Sequence, residues 1–150
     1  MDEAAERELA GFVAKFAPEM QRRIRGCRER MANRFPQAVQ LVYDNDNSLV
    51  VGFGPTDRPA QAIFSLAAHR GGVNLCFLHR APELPDPTAI LRGSGAVVRN
   101  VALAEPADLD RPDGVSLIDA ALVLAPVPME AAEGPRLLIR SVSAKQRPRR

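Results

Sequence analysis

Apolar positions recur with a helical period from the start of the chain. Ala5, Leu9, Phe12, Val13 and Phe16 fall at i, i+4, i+7, i+8 and i+11, which predicts a helix over 3–16. Pro18 interrupts that pattern and suits the first turn of a second helix. There Met20, Ile24, Cys27 and Met31 form one narrow apolar stripe, with Arg22, Arg23, Arg25, Arg28 and Arg30 outside it. Pro36 closes the second helix, because the residue before a proline disfavours the α region.

The period then changes to two. Val39, Leu41 and Tyr43 alternate with Ala38, Gln40 and Val42, and Leu49, Val51 and Phe53 resume after Asp44-Asn45-Asp46-Asn47-Ser48. Pairing Leu41 with Val51 and Tyr43 with Leu49 predicts a hairpin with a loop of about five residues. A second hairpin turns at Arg70-Gly71, setting Leu66 opposite Leu75 and Phe64 opposite Phe77. Residues 81–95 read as a proline- and glycine-punctuated loop with one helical turn at Pro87–Leu91. Ala96–Leu103 reads as a fifth strand. Asp113 caps an expected helix at Val115–Ala125 with Val115, Ile118, Leu122 and Ala125 inward, and Leu137–Val142 forms a short last strand. Helices, an antiparallel meander and a closing helix imply an α+β domain. Its antiparallel sheet of about five to six strands carries the N-terminal and C-terminal helices on one face. One domain over 1–143 and a solvated basic tail at 144–150 complete the expected layout.

Composition narrows the setting. A chain of 150 residues is long enough to bury a core without disulfides. Cys27 and Cys76 have no CxxC or metal-ligand spacing and read as small buried residues of a reducing compartment. Met1-Asp2-Glu3-Ala4 lacks a signal-peptide layout, and no apolar run reaches a membrane span. The expectation is a cytoplasmic protein with no membrane association. The net charge of +2 is too small to imply a nucleic-acid partner, but its distribution is uneven. From Arg136 to Arg150 there are six basic residues and no acids.

No spacing supplies a catalytic triad, a closed metal site or a nucleotide-binding loop, so no catalytic residue is assigned and the protein is not expected to be an enzyme. His69 and His79 lie at opposite ends of the second hairpin, roughly 25 Å or more apart, too far to share a metal. Asp44 and Asp46 form a D-x-D that is a candidate divalent-cation site. A calcium loop from Asp44 needs glycine sixth and glutamate twelfth, where Leu49 and Pro55 stand, so a plain turn is the competing reading. Arg92-Gly93-Ser94-Gly95 with Arg99 offers backbone N–H groups, a hydroxyl and planar guanidiniums to an anion. It leads into a strand and no Gly-Lys-Ser/Thr follows, so it is no P-loop, and a simple tight turn with an exposed arginine is the stronger competing reading. Lys145, Arg147, Arg149 and Arg150 give a second basic surface, suited to a phosphate-bearing partner such as RNA only weakly and without aromatic interleaving.

The ordered series of Tyr43-Asp44-Asn45-Asp46-Asn47, Ala62-Ile63-Phe64-Ser65, Val73-Asn74-Leu75-Cys76-Phe77, Leu84-Pro85-Asp86-Pro87, Leu91-Arg92-Gly93-Ser94-Gly95 and Ser141–Arg150 resembles the YdhG-like bacterial domains of unknown function. That resemblance implies a frataxin-like fold and, by analogy with frataxin, an intracellular iron chaperone, so iron is the one cofactor it suggests. Frataxin-type iron binding relies on an acidic ridge along the first helix and strand. Here arginines occupy that helical region, and the first strand has no acid before Asp44. The functional expectation is therefore a non-enzymatic binding protein for a small anionic ligand or a protein partner. An iron chaperone and a weak RNA binder are the alternatives.

Overall fold

The computed structural model describes residues 2–150. Helix α1 spans Glu3–Val13, and the Asp2 carboxylate caps it by accepting from the Ala4 and Ala5 amides at 2.9 and 3.4 Å. It ends three residues earlier than the periodicity predicts. Ala17, preceding Pro18, is held extended, so the chain must leave the helix before it. Phe16 is nonetheless fully buried, delivered by the turn instead of by the helix. Helix α2 spans Pro18–Arg34 and buries Ile24, Cys27 and Met31, as its stripe requires.

Six strands form one sheet in the order β5-β4-β3-β2-β1-β6. They are β1 (Val39–Asp44), β2 (Ser48–Gly54), β3 (Phe64–His69), β4 (Gly72–Phe77), β5 (Arg99–Leu103) and β6 (Arg136–Val142). The β3–β4 register matches the sequence pattern, with Leu66 opposite Leu75 and Phe64 opposite Phe77. The β1–β2 register does not. Val42 lies opposite Val51 and Asp44 opposite Leu49, one residue away from the expected pairing. A one-residue slip exchanges the faces of a strand. The core face of β1 therefore carries Gln40, Val42 and Asp44, while Val39 and Leu41 are buried on the other side. Three rows cross the sheet on the core face: Asp44-Leu49-Ala68-Val73-Leu103, Val42-Val51-Leu66-Leu75-Val101 and Gln40-Phe53-Phe64-Phe77-Arg99. Two polar side chains thus sit at the β1 end of otherwise largely apolar rows.

Strand β5 is shorter than expected because β4 ends at Phe77, which pairs with Arg99, leaving residues 96–98 without a strand partner. Helix α3 starts at Pro112, with Arg111 at the cap position, and runs to Leu124. Asp113 lies inside its first turn, and Leu117, Ile118 and Ala121 are buried, so the inward stripe differs from the expected one. The chain then reaches the far edge of the sheet, where β6 pairs with β1 in parallel, with a bulge between Val42 and Tyr43. The sheet is mostly antiparallel, and its last strand departs from the expected meander. Residues 144–150 do not trail away as a solvated tail. They run back along the β1–β2 loop, with the Ser143 amide donating to Asp44 O at 2.8 Å and the Arg147 amide to Asp46 O at 2.7 Å.

Candidate functional site

The loop expected to bind an anion is built around Asp86. Its two carboxylate oxygens accept from the Ile90 and Leu91 amides, each at 2.9 Å, so a turn stands where a helical turn was expected. Arg92 and Asn100 then exchange backbone hydrogen bonds at 2.7 and 3.1 Å, closing the loop onto β5. Gly93 has φ +99°, a conformation that favours glycine. A Cβ on Gly95 would lie 2.5 Å from Val98 O, so this position also needs glycine. The Arg99 side chain turns back to Gly95 O at 3.2 Å, where it braces the loop. Gly93, Ser94 and Gly95 are exposed, and only Arg92 of the five candidates lines a groove.

Arg92 stands between two depressions. One, of about 310 Å³, lies against the start of α3 and contains Arg111 together with Asp108 and Asp113. The other, of about 200 Å³, brings Arg92 to Arg23 of α2, His69 at the β3–β4 turn and Asn74 of β4, with no acidic side chain in its lining. Neither Arg23 nor Arg92 has a salt-bridge partner among the described residues, whereas Arg28, Arg30 and Arg34 on the same helix as Arg23 are paired with Glu6, Asp110 and Asp119. The Gly71 amide donates to His69 Nδ1 at 3.0 Å. That bond assigns the acceptor role to Nδ1 and leaves Nε2 as the donor. Two planar guanidiniums, an imidazole N–H and an amide thus line one shallow groove able to bind a carboxylate or phosphoryl group.

The other basic candidates have a different fate. Arg149 is buried, its side chain fully sequestered with that of Asp44, and Nη1 donates to Asp44 Oδ1 at 2.5 Å. Its Nη2 donates to Asn45 O and Gln146 Oε1, and its guanidinium stacks over Phe16 at 5.5 Å. Lys15 takes the second Asp44 oxygen at 2.5 Å. Arg147 pairs with Asp46 at 3.1 Å, and Arg150 donates to Ala14 O at 3.1 Å. Lys145 lies on the exposed surface of the same segment.

These contacts also decide how well Asp44 and Asp46 suit a cation. Both oxygens of Asp44 are held by cationic side chains, and one oxygen of Asp46 faces Arg147. The other, Oδ1, is buried without a hydrogen-bond partner. No cluster of three or more His, Cys, Asp or Glu side chains able to hold a metal occurs among the described residues. The arrangement does not fit an iron site at these two carboxylates. His79 is occupied by Ala62 O at 2.8 Å. Burial pushes the Cys27 thiol up to about 11, too high for a thiolate nucleophile at neutral pH.

The groove was only partly legible. Arg92 stood out because two glycines follow it closely. Arg23, His69 and Asn74 carry no shared sequence signal, because their meeting depends on how α2, the β3–β4 turn and β5 pack. Set beside known protein families, curated proteins and solved structures, the chain has no match. No helix among the described residues is long and apolar enough to cross a membrane.

Proposed function

We propose that this is a non-enzymatic binding protein that holds a small anion, a phosphoryl or carboxylate group, in the groove lined by Arg23, His69 and Arg92. The observation that carries this reading is the pair of arginines without acidic partners facing one acid-free groove, beside a histidine whose free nitrogen is a donor. Arginine left unpaired next to a shaped depression is suited to planar, bidentate recognition of an oxyanion. The free thiols of Cys27 and Cys76 support a reducing compartment such as the cytoplasm. Iron and RNA receive less support, because Asp44 is spent on Arg149 and Asp46 on Arg147.

Isothermal titration with inorganic phosphate and pyrophosphate, at low and moderate salt, tests the assignment. Saturable binding that weakens about tenfold or more in both Arg23→Ala and Arg92→Ala is expected, the loss of a charge-assisted hydrogen bond. Arg140→Ala and Lys145→Ala, exposed positions away from the groove, serve as controls and leave affinity within about twofold. Binding that is unchanged in the two groove variants, or equally reduced in the controls, removes the site.

A further inference from the structure

A second depression lies on the opposite flank of α2 and shares no lining residue with the anion groove. Its volume is about 430 Å³, within the range of small-molecule sites. Leu9 and Val13 of α1, Ile24 of α2 and Val51 of β2 give it largely apolar walls. At its polar end stands Gln40, the side chain that the β1 register turns toward the core and that is only 2% exposed.

The orientation of that amide is fixed from behind. Arg28 Nε donates to Gln40 Oε1 at 2.8 Å, while both Arg28 Nη atoms hold the Glu6 carboxylate at 3.0 and 2.7 Å. With Oε1 engaged by a guanidinium, Nε2 is the end left over. It donates to no acceptor among the described residues, yet it is not among the polar atoms sealed away from solvent. An amide donor that the fold orients and leaves open to the cavity is hydrated in the free protein, and an acceptor from outside can take the place of that water.

The charges around the cavity decide what kind of acceptor it takes. Arg28 is neutralised by Glu6, and Arg25 is offset by Glu29 four residues on, so the lining carries no net formal charge. An anion gains nothing here that water does not already give. We propose that the cavity between α1 and α2 binds an uncharged, mainly apolar small molecule whose carbonyl-type oxygen accepts from Gln40 Nε2. The apolar body fills the space between Leu9, Val13, Ile24 and Val51, and the Glu6–Arg28–Gln40 chain holds the donor in place.

Three probes of similar size separate the contributions: acetophenone carries a neutral acceptor, ethylbenzene none, and benzoate a charge. Titrations followed in proton–nitrogen correlation spectra of the full chain report both affinity and the Gln40 side-chain amide signal. Acetophenone is expected to shift that signal and to bind about fivefold or more tightly than either competitor. Ala10→Phe, an exposed position at the cavity wall, is expected to abolish binding of all three while leaving the melting temperature unchanged. Gln40→Leu is expected to erase the preference for acetophenone over ethylbenzene. The proposal is overturned if no probe perturbs the cavity signals up to its solubility. A preference that survives Gln40→Leu, or tightest binding by benzoate, overturns it equally.

Discussion

Two regions of this molecule are built from the same residue type and put to opposite use. At the end of β1 an arginine is brought to a buried acid, stacked on Phe16 and given a carbonyl and an amide oxygen as well. At the β3–β4 turn two arginines approach each other across a groove and meet no acid. In the first, cationic charge is cancelled within the fold and contributes to holding the C-terminal segment. In the second it is left for something outside. Whether an arginine is structural or available follows from what the tertiary fold delivers to it, and local charge density says little about that.

This contrast is best tested by removing charges one at a time. Arg149→Ala leaves Asp44 buried beside Lys15 alone and is expected to cost about 3–5 kcal/mol, a fall in melting temperature of roughly 6–20 °C. Calorimetry checks it, and a loss below about 2 °C would make the two regions equivalent. Replacing both partners, Asp44→Leu with Arg149→Met, should restore much of the loss, since a well-packed apolar pair avoids the desolvation cost. Gly95→Ala comes next. Its new methyl group meets Val98 O, so about 1–2 kcal/mol is expected from the forced shift, together with weaker phosphate binding as the Arg92 loop opens.

An intermediate case sharpens the comparison. Glu6 and Arg28 form a half-exposed pair, and the Arg28 hydrogen bonds hold the Glu6 carboxyl below its ordinary value of 4.5. A lowered carboxylate value stabilises the fold above the ordinary value, and that contribution is lost as pH falls through the native one. Glu6→Gln should therefore cost about 0.5–1 kcal/mol at neutral pH and progressively less as the solution is acidified below 4.5, measurable as converging urea midpoints. Smallest of all, Arg23→Ala and Arg92→Ala are expected to change stability by about 0.5 kcal/mol or less while weakening anion binding. A large destabilisation from either would move that arginine into the structural class.

The sequence pattern identified the α+β layout, both N-terminal helices and the β3–β4 register, because β3 and β4 present clean apolar sets that the turn at Arg70-Gly71 brings into line. It misplaced β1 for a physical reason. Both faces of β1 are covered, so Val39, Leu41 and Tyr43 look as good an inward set as Val42 does. Gln40 and Asp44 argue against the true register by polarity alone. The residues that defeat the pattern are the two that organise the inter-helical cavity and the C-terminal lock, as expected where local preference yields to a polar site. The parallel pairing of β6 and the burial of Arg149 were illegible in the same sense. Each depends on a partner about a hundred residues away and leaves no mark on the local composition.

The position of β6 also sets an order of events. Strand β1 finds β2 across a short loop, but its other edge waits for a segment about a hundred residues further along the chain. Closing so long a loop is slow relative to hairpin formation. Until it closes, the outer edge of β1 presents unpaired backbone groups beside Leu41, a template for pairing with another molecule. Any form of the chain in which β6 is undocked is therefore expected to associate through that edge. Pulsed hydrogen exchange during refolding should find the β3 and β4 amides protected first and those of β6 last.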